Sequence, residues 1–206
     1  MTYGKQDAPL IGLMGYATAG KDALADSLVK HYGYRKVSLS DPINAMLMAL
    51  DPIIEAGPRT LVSDQDGYVL KNQPLIRYRE YVERHGYTAA KQHPEVRALL
   101  QRMGTEAGRK VLGETVWVEQ MLMTIWRSPN PCVVTNVRYR EEAEAIRGEG
   151  GILVLVTRPG VGPTNDHVSE QIPATPDLVV ANDGTLEDLE AKAHELMAPY
   201  IPALTR

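Results

Sequence analysis

Gly15-Tyr-Ala-Thr-Ala-Gly20-Lys21-Asp22 has the spacing G-x-x-x-x-G-K and falls between an apolar run, Leu10 to Tyr16, and a helical pattern, Lys21 to His31. That context is what a phosphate-binding loop requires. Glycines let the backbone curl into a ring of N–H donors, the helix terminus adds positive potential, and a lysine at this position reaches the β- and γ-phosphates of a nucleotide. The spacing therefore predicts a triphosphate cradle of Gly15, Ala17, Thr18, Ala19, Gly20, Lys21 and Asp22. The usual pattern ends in Ser or Thr, whose hydroxyl binds Mg²⁺. Asp22 puts a carboxylate there instead, which either ligates Mg²⁺ or serves only the helix dipole.

Further along, Arg102, Glu106 and Arg109 stand at i, i+4 and i+7. On an α-helix these share one face, so two guanidiniums and a carboxylate are placed either to grip a phosphate bidentately or to form a solvated ion-pair ladder. Asn136-Val-Arg138 ends a strand-like run, and strand carboxyl ends in parallel sheets face the ligand crevice. Arg138 is a candidate for charge on a transferring phosphoryl group. Asp41 either contacts an acceptor sugar or the metal, or caps a helix. Trp117 is divided between stacking on a base and joining the core.

The elements that position these residues follow from periodicity. Leu10 to Tyr16, Cys132 to Val137 and Ile152 to Thr157 read as short buried strands, and Tyr34 to Leu39 and Leu178 to Ala181 as two further strands. Lys21 to His31, a helix opened by Asp41-Pro42, Pro94 to Lys110, Val116 to Trp126, Arg140 to Arg147 and Thr185 to Ala198 read as helices. Strands alternating with helices predict an α/β, doubly wound parallel sheet with helices on both faces. Residues 52–93 break this rhythm and read as an insertion within a single 206-residue domain, with a hairpin at Asp66-Gly67 and an amphipathic, charged stretch at Arg77 to Arg84. Residues 158–175 are rich in Gly and Pro and read as a lid-like loop.

A formal charge of -4 gives no general attraction to a nucleic-acid backbone, so any anion must be captured locally. One cysteine, Cys132, forms no internal disulfide and suits a reducing compartment as a small core residue. No run approaches the ~20 apolar residues of a membrane span, and the N-terminal apolar run is short for a signal peptide. The expectation is a cytoplasmic protein. The apolar Val116 to Trp126 helix suggests pairing of two copies.

Gly12 to Asp22, Ser40-Asp41-Pro42, Leu100-Gln-Arg-Met-Gly-Thr-Glu-Ala-Gly-Arg109, Val116-Trp-Val118, Val134 to Glu142 and His167-Val-Ser-Glu170 together resemble the bacteriophage deoxynucleoside monophosphate kinases, over roughly Leu10 to Leu189. The resemblance implies the nucleoside-monophosphate-kinase variant of the P-loop fold, ATP with Mg²⁺, and a deoxynucleoside monophosphate as acceptor. It implies a mainly helical acceptor-binding insertion at 52–93 and acceptor contacts from Asp41, Arg102, Glu106, Arg109 and Trp117. Arg158 is then a lid residue clamping ATP phosphates, with His167 and Glu170 as loop anchors, and Asn182 and Gly184 border the adenine. The family usually carries Asp-x-Arg where this chain has Asn136-Val-Arg138, so a charged metal ligand is missing there. The loop alone leaves open a kinase of the phosphomevalonate or dephospho-coenzyme A type, or a nucleotide-binding module without turnover.

Overall fold

Five short strands pair into one all-parallel sheet in the computed structural model, which describes residues 8–56, 60–64, 67–71, 75–163 and 172–200. In chain order the elements are β1 (Ile11–Met14), α1 (Lys21–Tyr32), β2 (Arg35–Ser38), α2 (Asp41–Leu50), β3 (Ile53–Ala56), β4 (Thr60–Asp64), β5 (Gly67–Lys71) and β6 (Leu75–Arg77). Then come α3 (Tyr78–His85), α4 (Tyr87–Ala90), α5 (Pro94–Gln101), a π-helical segment Arg102–Arg109, α6 (Lys110–Leu112) and α7 (Val116–Arg127). The chain finishes with β7 (Cys132–Thr135), α8 (Arg140–Gly148), β8 (Ile152–Thr157), β9 (Leu178–Ala181), α9 (Leu186–Met197) and a short 3₁₀ turn, Ala198–Tyr200.

The chain divides into two compact units, residues 1–39 with 117–206, and Ser40–Val116. In the first, the strand order is β2-β7-β1-β8-β9, with β1 central. Every residue of β1 and β7 is buried, which explains their unbroken apolar sequences. Side chains alternate between two cores. Ile11, Leu13, Val133 and Val154 meet Leu24 and Leu28 of α1 and Leu189 and Leu196 of α9. Met14, Val134 and Leu153 meet Met121 and Ile125 of α7 and Ala143 and Ile146 of α8. Fully burying one such Leu or Ile contributes about 1.5–3 kcal/mol. Gly12 has a steric reason: a Cβ would lie 2.8 Å from Ile146 Cδ1, so its absence lets α8 settle onto β1. Cys132 is fully buried, as a core residue should be.

Helix α9 is opened by the expected capping box, Thr185 Oγ1 accepting from the Asp188 N–H at 3.2 Å while the Asp188 carboxylate accepts from the Thr185 N–H at 2.8 Å. Helix α7 turns most of its apolar surface inward. Met121 and Ile125 join the core, Trp117 is buried, and Trp126 Nε1 donates to Glu149 Oε2 at 2.9 Å.

The second unit departs from the sequence reading in three ways. Its limits, 40 to 116, run beyond 52–93 on both sides. Its expected helical insertion begins with strands instead: β3 pairs with β6 and β4 with β5, both antiparallel, the second as the hairpin foreseen around residues 66 and 67. And α2 is preceded by Ser40 as the capping residue, with Asp41 as its first helical residue and Pro42 directly after. Leu47, Ile54, Tyr78, Ala90 and Val96 form a core of their own. Tyr78 Oη donates to Asn44 Oδ1 at 2.8 Å, and burial, with Tyr87 nearby, pushes its phenol up to about 12.

Candidate active site

β1 delivers the chain at its carboxyl end into a loop that few sequences can trace. Gly15 has φ 138°, Thr18 φ 65° and Gly20 φ 105°. A Cβ on Gly15 would stand 2.4 Å from the Val156 carbonyl oxygen, and one on Gly20 would stand 2.4 Å from Asn182 Nδ2. That second contact braces the loop, since Asn182 Nδ2 donates to the Ala19 carbonyl at 2.9 Å and the Asn182 N–H donates to Thr157 O at 2.7 Å. Gly20 is the capping residue of α1 and has no side chain to cap the helix, so the N-terminus is open to an anion in the loop. Lys21 is 6% exposed, and its ammonium donates to Gly15 O at 2.8 Å and Tyr16 O at 2.7 Å. These two carbonyl acceptors hold the ammonium at the rim of the cradle.

A cavity of about 370 Å³ opens over this loop, lined by Ala17, Thr18, Gly20, Lys21, Asp22, Ala23, Asn136 and Arg138. Topology puts it there. The helix following β1 packs on one face of the sheet and α8, following β7, packs on the other, so the adjacent carboxyl ends of β1 and β7 frame a crevice. Asn136 has φ 61°, a left-handed conformation in which Asn and Asp are enriched. The next residue returns to the sheet, the Val137 N–H donating to Leu13 O at 3.0 Å. Beneath Arg138 lies a residue that motif reading missed: Glu142, 3% exposed, whose Oε2 accepts from the Arg138 N–H at 2.8 Å and the Tyr139 N–H at 3.2 Å. It fixes the backbone from which Arg138 projects. The available signal was its place in the first turn of α8, where a carboxylate finds unpaired N–H groups.

Asp22 lies in the first turn of α1 with its side chain 72% exposed, and Oδ1 is 3.9 Å from Lys36 Nζ, which also pairs with Asp26 at 2.9 Å. Such an exposed pair is weak. Arg158 Nη1 donates to Thr18 O at 3.5 Å, a long contact that nevertheless holds the guanidinium against the loop. Gly184 admits the Asp188 carboxylate, whose Oδ2 would lie 2.3 Å from a Cβ there, so both Gly184 and Asn182 have structural duties beside any nucleotide contact. Trp117, at 4% exposure, falls on the core side of its two readings. His167 and Glu170 lie outside the described residues. The far end of the lid-like loop is anchored: Ile172 and Ala174 pack on the core, and Arg147 Nη2 donates to Thr175 O at 2.6 Å.

In the second unit, Arg102, Glu106 and Arg109 do not share one face. Their segment is π-helical, the Lys110 N–H reaching back to Thr105 O, and at about 4.4 residues per turn seven residues carry Arg109 away from the Arg102–Glu106 side. Glu106 pairs with Lys110 at 2.6 Å. Gly104 and the buried Gly108 belong to this segment, and a Cβ on Gly104 would meet Ile43 Cδ1 of α2 at 3.2 Å. Asp41 is exposed at the start of α2. Tyr87, which sequence reasoning passed over, stands beside it: burial pushes its phenol up, and the Asp41 carboxylate adds to the rise.

A family model described as deoxynucleotide monophosphate kinase matches residues 59–193. A putative deoxynucleotide monophosphate kinase of Acanthamoeba polyphaga mimivirus is 28% identical over 200 residues, covering 87% of this chain and 91% of that protein. The deoxynucleotide monophosphate kinases of Escherichia phage RB69 and Enterobacteria phage T4 are each 31% identical, over 108 and 103 residues. Those two alignments cover 50% and 47% of this chain and only 44% and 43% of the phage proteins.

Proposed function

The chain belongs to the deoxynucleotide monophosphate kinase family, and we propose that it transfers the γ-phosphoryl group of ATP to a deoxynucleoside monophosphate, giving ADP and the deoxynucleoside diphosphate. The observation that carries the reading is the cavity that joins the loop, Lys21, Asp22, Asn136 and Arg138 at the carboxyl ends of β1 and β7. Such a transfer needs positioning and charge stabilisation more than acid–base chemistry, and these groups are of that kind.

In this reading the N–H groups of Thr18 to Asp22 bind the ATP phosphates, and Lys21 exchanges its carbonyl partners for phosphate oxygens. Arg138, held by its backbone on Glu142, offsets charge on the transferring group, and Arg158 closes over the loop from outside. Asn182 keeps the loop in shape at the adenine side. The cavity lining includes the Asp22 carboxylate and the Asn136 amide, and an oxygen ligand of this kind suits a hard cation such as Mg²⁺. Mg²⁺ held there by Asp22 supplies charge neutralisation to the nucleotide phosphates. Arg102 and Arg109 bind the acceptor phosphate, and Asp41 with Tyr87 contacts its sugar or base. The reaction belongs in the cytoplasm, where ATP and nucleotides are found; among the described residues no helix is long and apolar enough to cross a membrane.

The test is ADP release with deoxynucleoside monophosphates, phosphomevalonate and dephospho-coenzyme A as acceptors, and with none. Release that requires a deoxynucleoside monophosphate is expected; release with another acceptor alone, or with none at all, overturns the assignment. Arg102→Ala and Arg109→Ala should each raise the acceptor KM or lower kcat by roughly 10- to 100-fold, the worth of a bidentate phosphate contact, with ATP affinity little changed. Loss of ATP affinity in both, with acceptor affinity kept, would remove them from the acceptor site.

Asp22→Ala should shift the Mg²⁺ concentration for half-maximal rate upward, by roughly 10-fold for the loss of one carboxylate ligand. Asp22→Ser should recover part of the shift through its hydroxyl, and Asn136→Asp in the Asp22→Ala background should return a charge to the same cavity. Initial rates titrated with Mg²⁺ at saturating ATP and acceptor read this out. Superimposable curves, with only the thermal midpoint moved, would leave Asp22 as a helix-terminus residue.

A further inference from the structure

At the opposite end of α1 from the phosphate loop, the helix pairs with α9, and three side chains meet on the outside of that pair. His31 comes from the last turn of α1, while Glu190 and His194 are four residues apart on α9 and so lie on one helix face. One ligand atom from each lies within 4.8 Å of the other two. The His31 and His194 rings are 4.9 Å apart between centroids, and His31 Nε2 contacts Glu190 Oε1. We propose that His31, Glu190 and His194 form a binding site for a zinc-class divalent ion, separate from the Mg²⁺ that serves the nucleotide.

The donor set decides the class. Two imidazoles and a carboxylate suit zinc or its near neighbours, whereas Mg²⁺ takes oxygen ligands and keeps its water. Spacing of i and i+4 along a helix is how helical metal sites present paired ligands. Tetrahedral zinc wants ligand atoms about 3.3 Å apart, so the present span closes by small rotations about the side-chain torsions while the backbone stays in place. The two helices are already fixed by Leu24, Leu28, Leu189 and Leu196, so the ligands are brought together without the ion.

The neighbouring groups fit as well. Tyr32 Oη lies 2.6 Å from His194 Nδ1. An Nδ1–H donating to this oxygen leaves Nε2 to the ion, the outer hydrogen bond that orients metal-bound histidines. Lys30 opposes a cation here, its Nζ sitting 3.0 Å from Glu190 Oε1. Both contacts fall on Oε1, so the carboxylate keeps a second oxygen for a ligand bond. Lys30 is 66% exposed and is held there by nothing stronger than this pair. A bound ion would tie the distal end of α1 to α9, and so brace from behind the helix whose other end forms the cradle.

Zinc added to chelator-treated protein in Mg²⁺ buffer should raise the thermal midpoint by about 5 °C or more at saturation, since it binds only the folded chain. Cobalt in its place should give the visible absorption of a tetrahedral site. His31→Ala, His194→Ala and Glu190→Gln should each lose most of both signals. Lys30→Ala should bind zinc several-fold tighter, which a plain ion-pair cluster gives no reason to expect. All four side chains lie at the surface, so the variants should fold. A wild type that shows no shift and no cobalt band, or signals that survive in both histidine variants, overturns the proposal.

Discussion

Lys21→Ala is expected to lose activity on the order of a thousandfold in kcat while its fold survives. Removing one preorganised donor from a developing negative charge costs about 10²–10³ in rate, and here the donor also carries a full charge in a largely enclosed place. Lys21 is 6% exposed, and its ammonium donates to Gly15 O and Tyr16 O at the loop rim. Those carbonyls are neutral acceptors, so losing each contact should cost near the ~1 kcal/mol of an ordinary hydrogen bond. ATP affinity should fall much less than kcat, because the backbone donors of the loop remain. The measurement pairs steady-state kinetics with direct nucleotide binding and a thermal melt. Near-wild-type turnover would mean that another group carries the phosphoryl charge, and the loop would lose its assigned part in the reaction.

The parallel sheet and its phosphate loop were legible because each rests on a local rule. Buried parallel strands leave unbroken apolar runs, and G-x-x-x-x-G-K needs only its flanking strand and helix to be read. Ile152–Thr157 and Leu178–Ala181 fall where the runs placed them, and the Thr185/Asp188 spacing does what a capping box does. Residues 40–116 were less legible for physical reasons. The strands β3 to β6 are short and antiparallel, so their pairing depends on partners and leaves little periodic signal. The π-helix at Arg102–Arg109 broke the one-face inference because an i, i+4, i+7 argument assumes 3.6 residues per turn. Glu142 escaped, as did the bracing contact made by Asn182, because their work is done on backbone groups of residues elsewhere in the chain, Arg138 in one case and Ala19 in the other. Motif spacing does not encode such supports. The histidines of the proposed zinc site were equally hidden, since His31 and His194 meet only through the packing of α1 on α9.

The second large effect separates the shape of the loop from its charge. Gly15→Ala should abolish measurable ATP binding, a loss on the order of 100-fold or more, and lower stability by about 3 kcal/mol. Two costs combine. At φ 138° any L side chain is strained, and the new Cβ would sit 2.4 Å from the Val156 carbonyl oxygen. That oxygen cannot yield cheaply, because β8 is pinned between β1 and β9, with Leu155 opposite Met14 and Val156 opposite Val180. The loop must therefore move, and its N–H donors move with it. Gly33→Ala is the matched control on the other end of the same helix. Gly33 also has a left-handed φ, 66°, but nothing lies within 4 Å of its Cβ position. It should cost only the conformational term of about 1 kcal/mol and leave ATP affinity and kcat at wild-type values below the melting transition. Nucleotide titration of both variants at a temperature where both are folded distinguishes the two effects. Equal losses would attribute the defect to stability alone, and a Gly15→Ala variant that binds ATP normally would show that the nucleotide is held somewhere other than this loop.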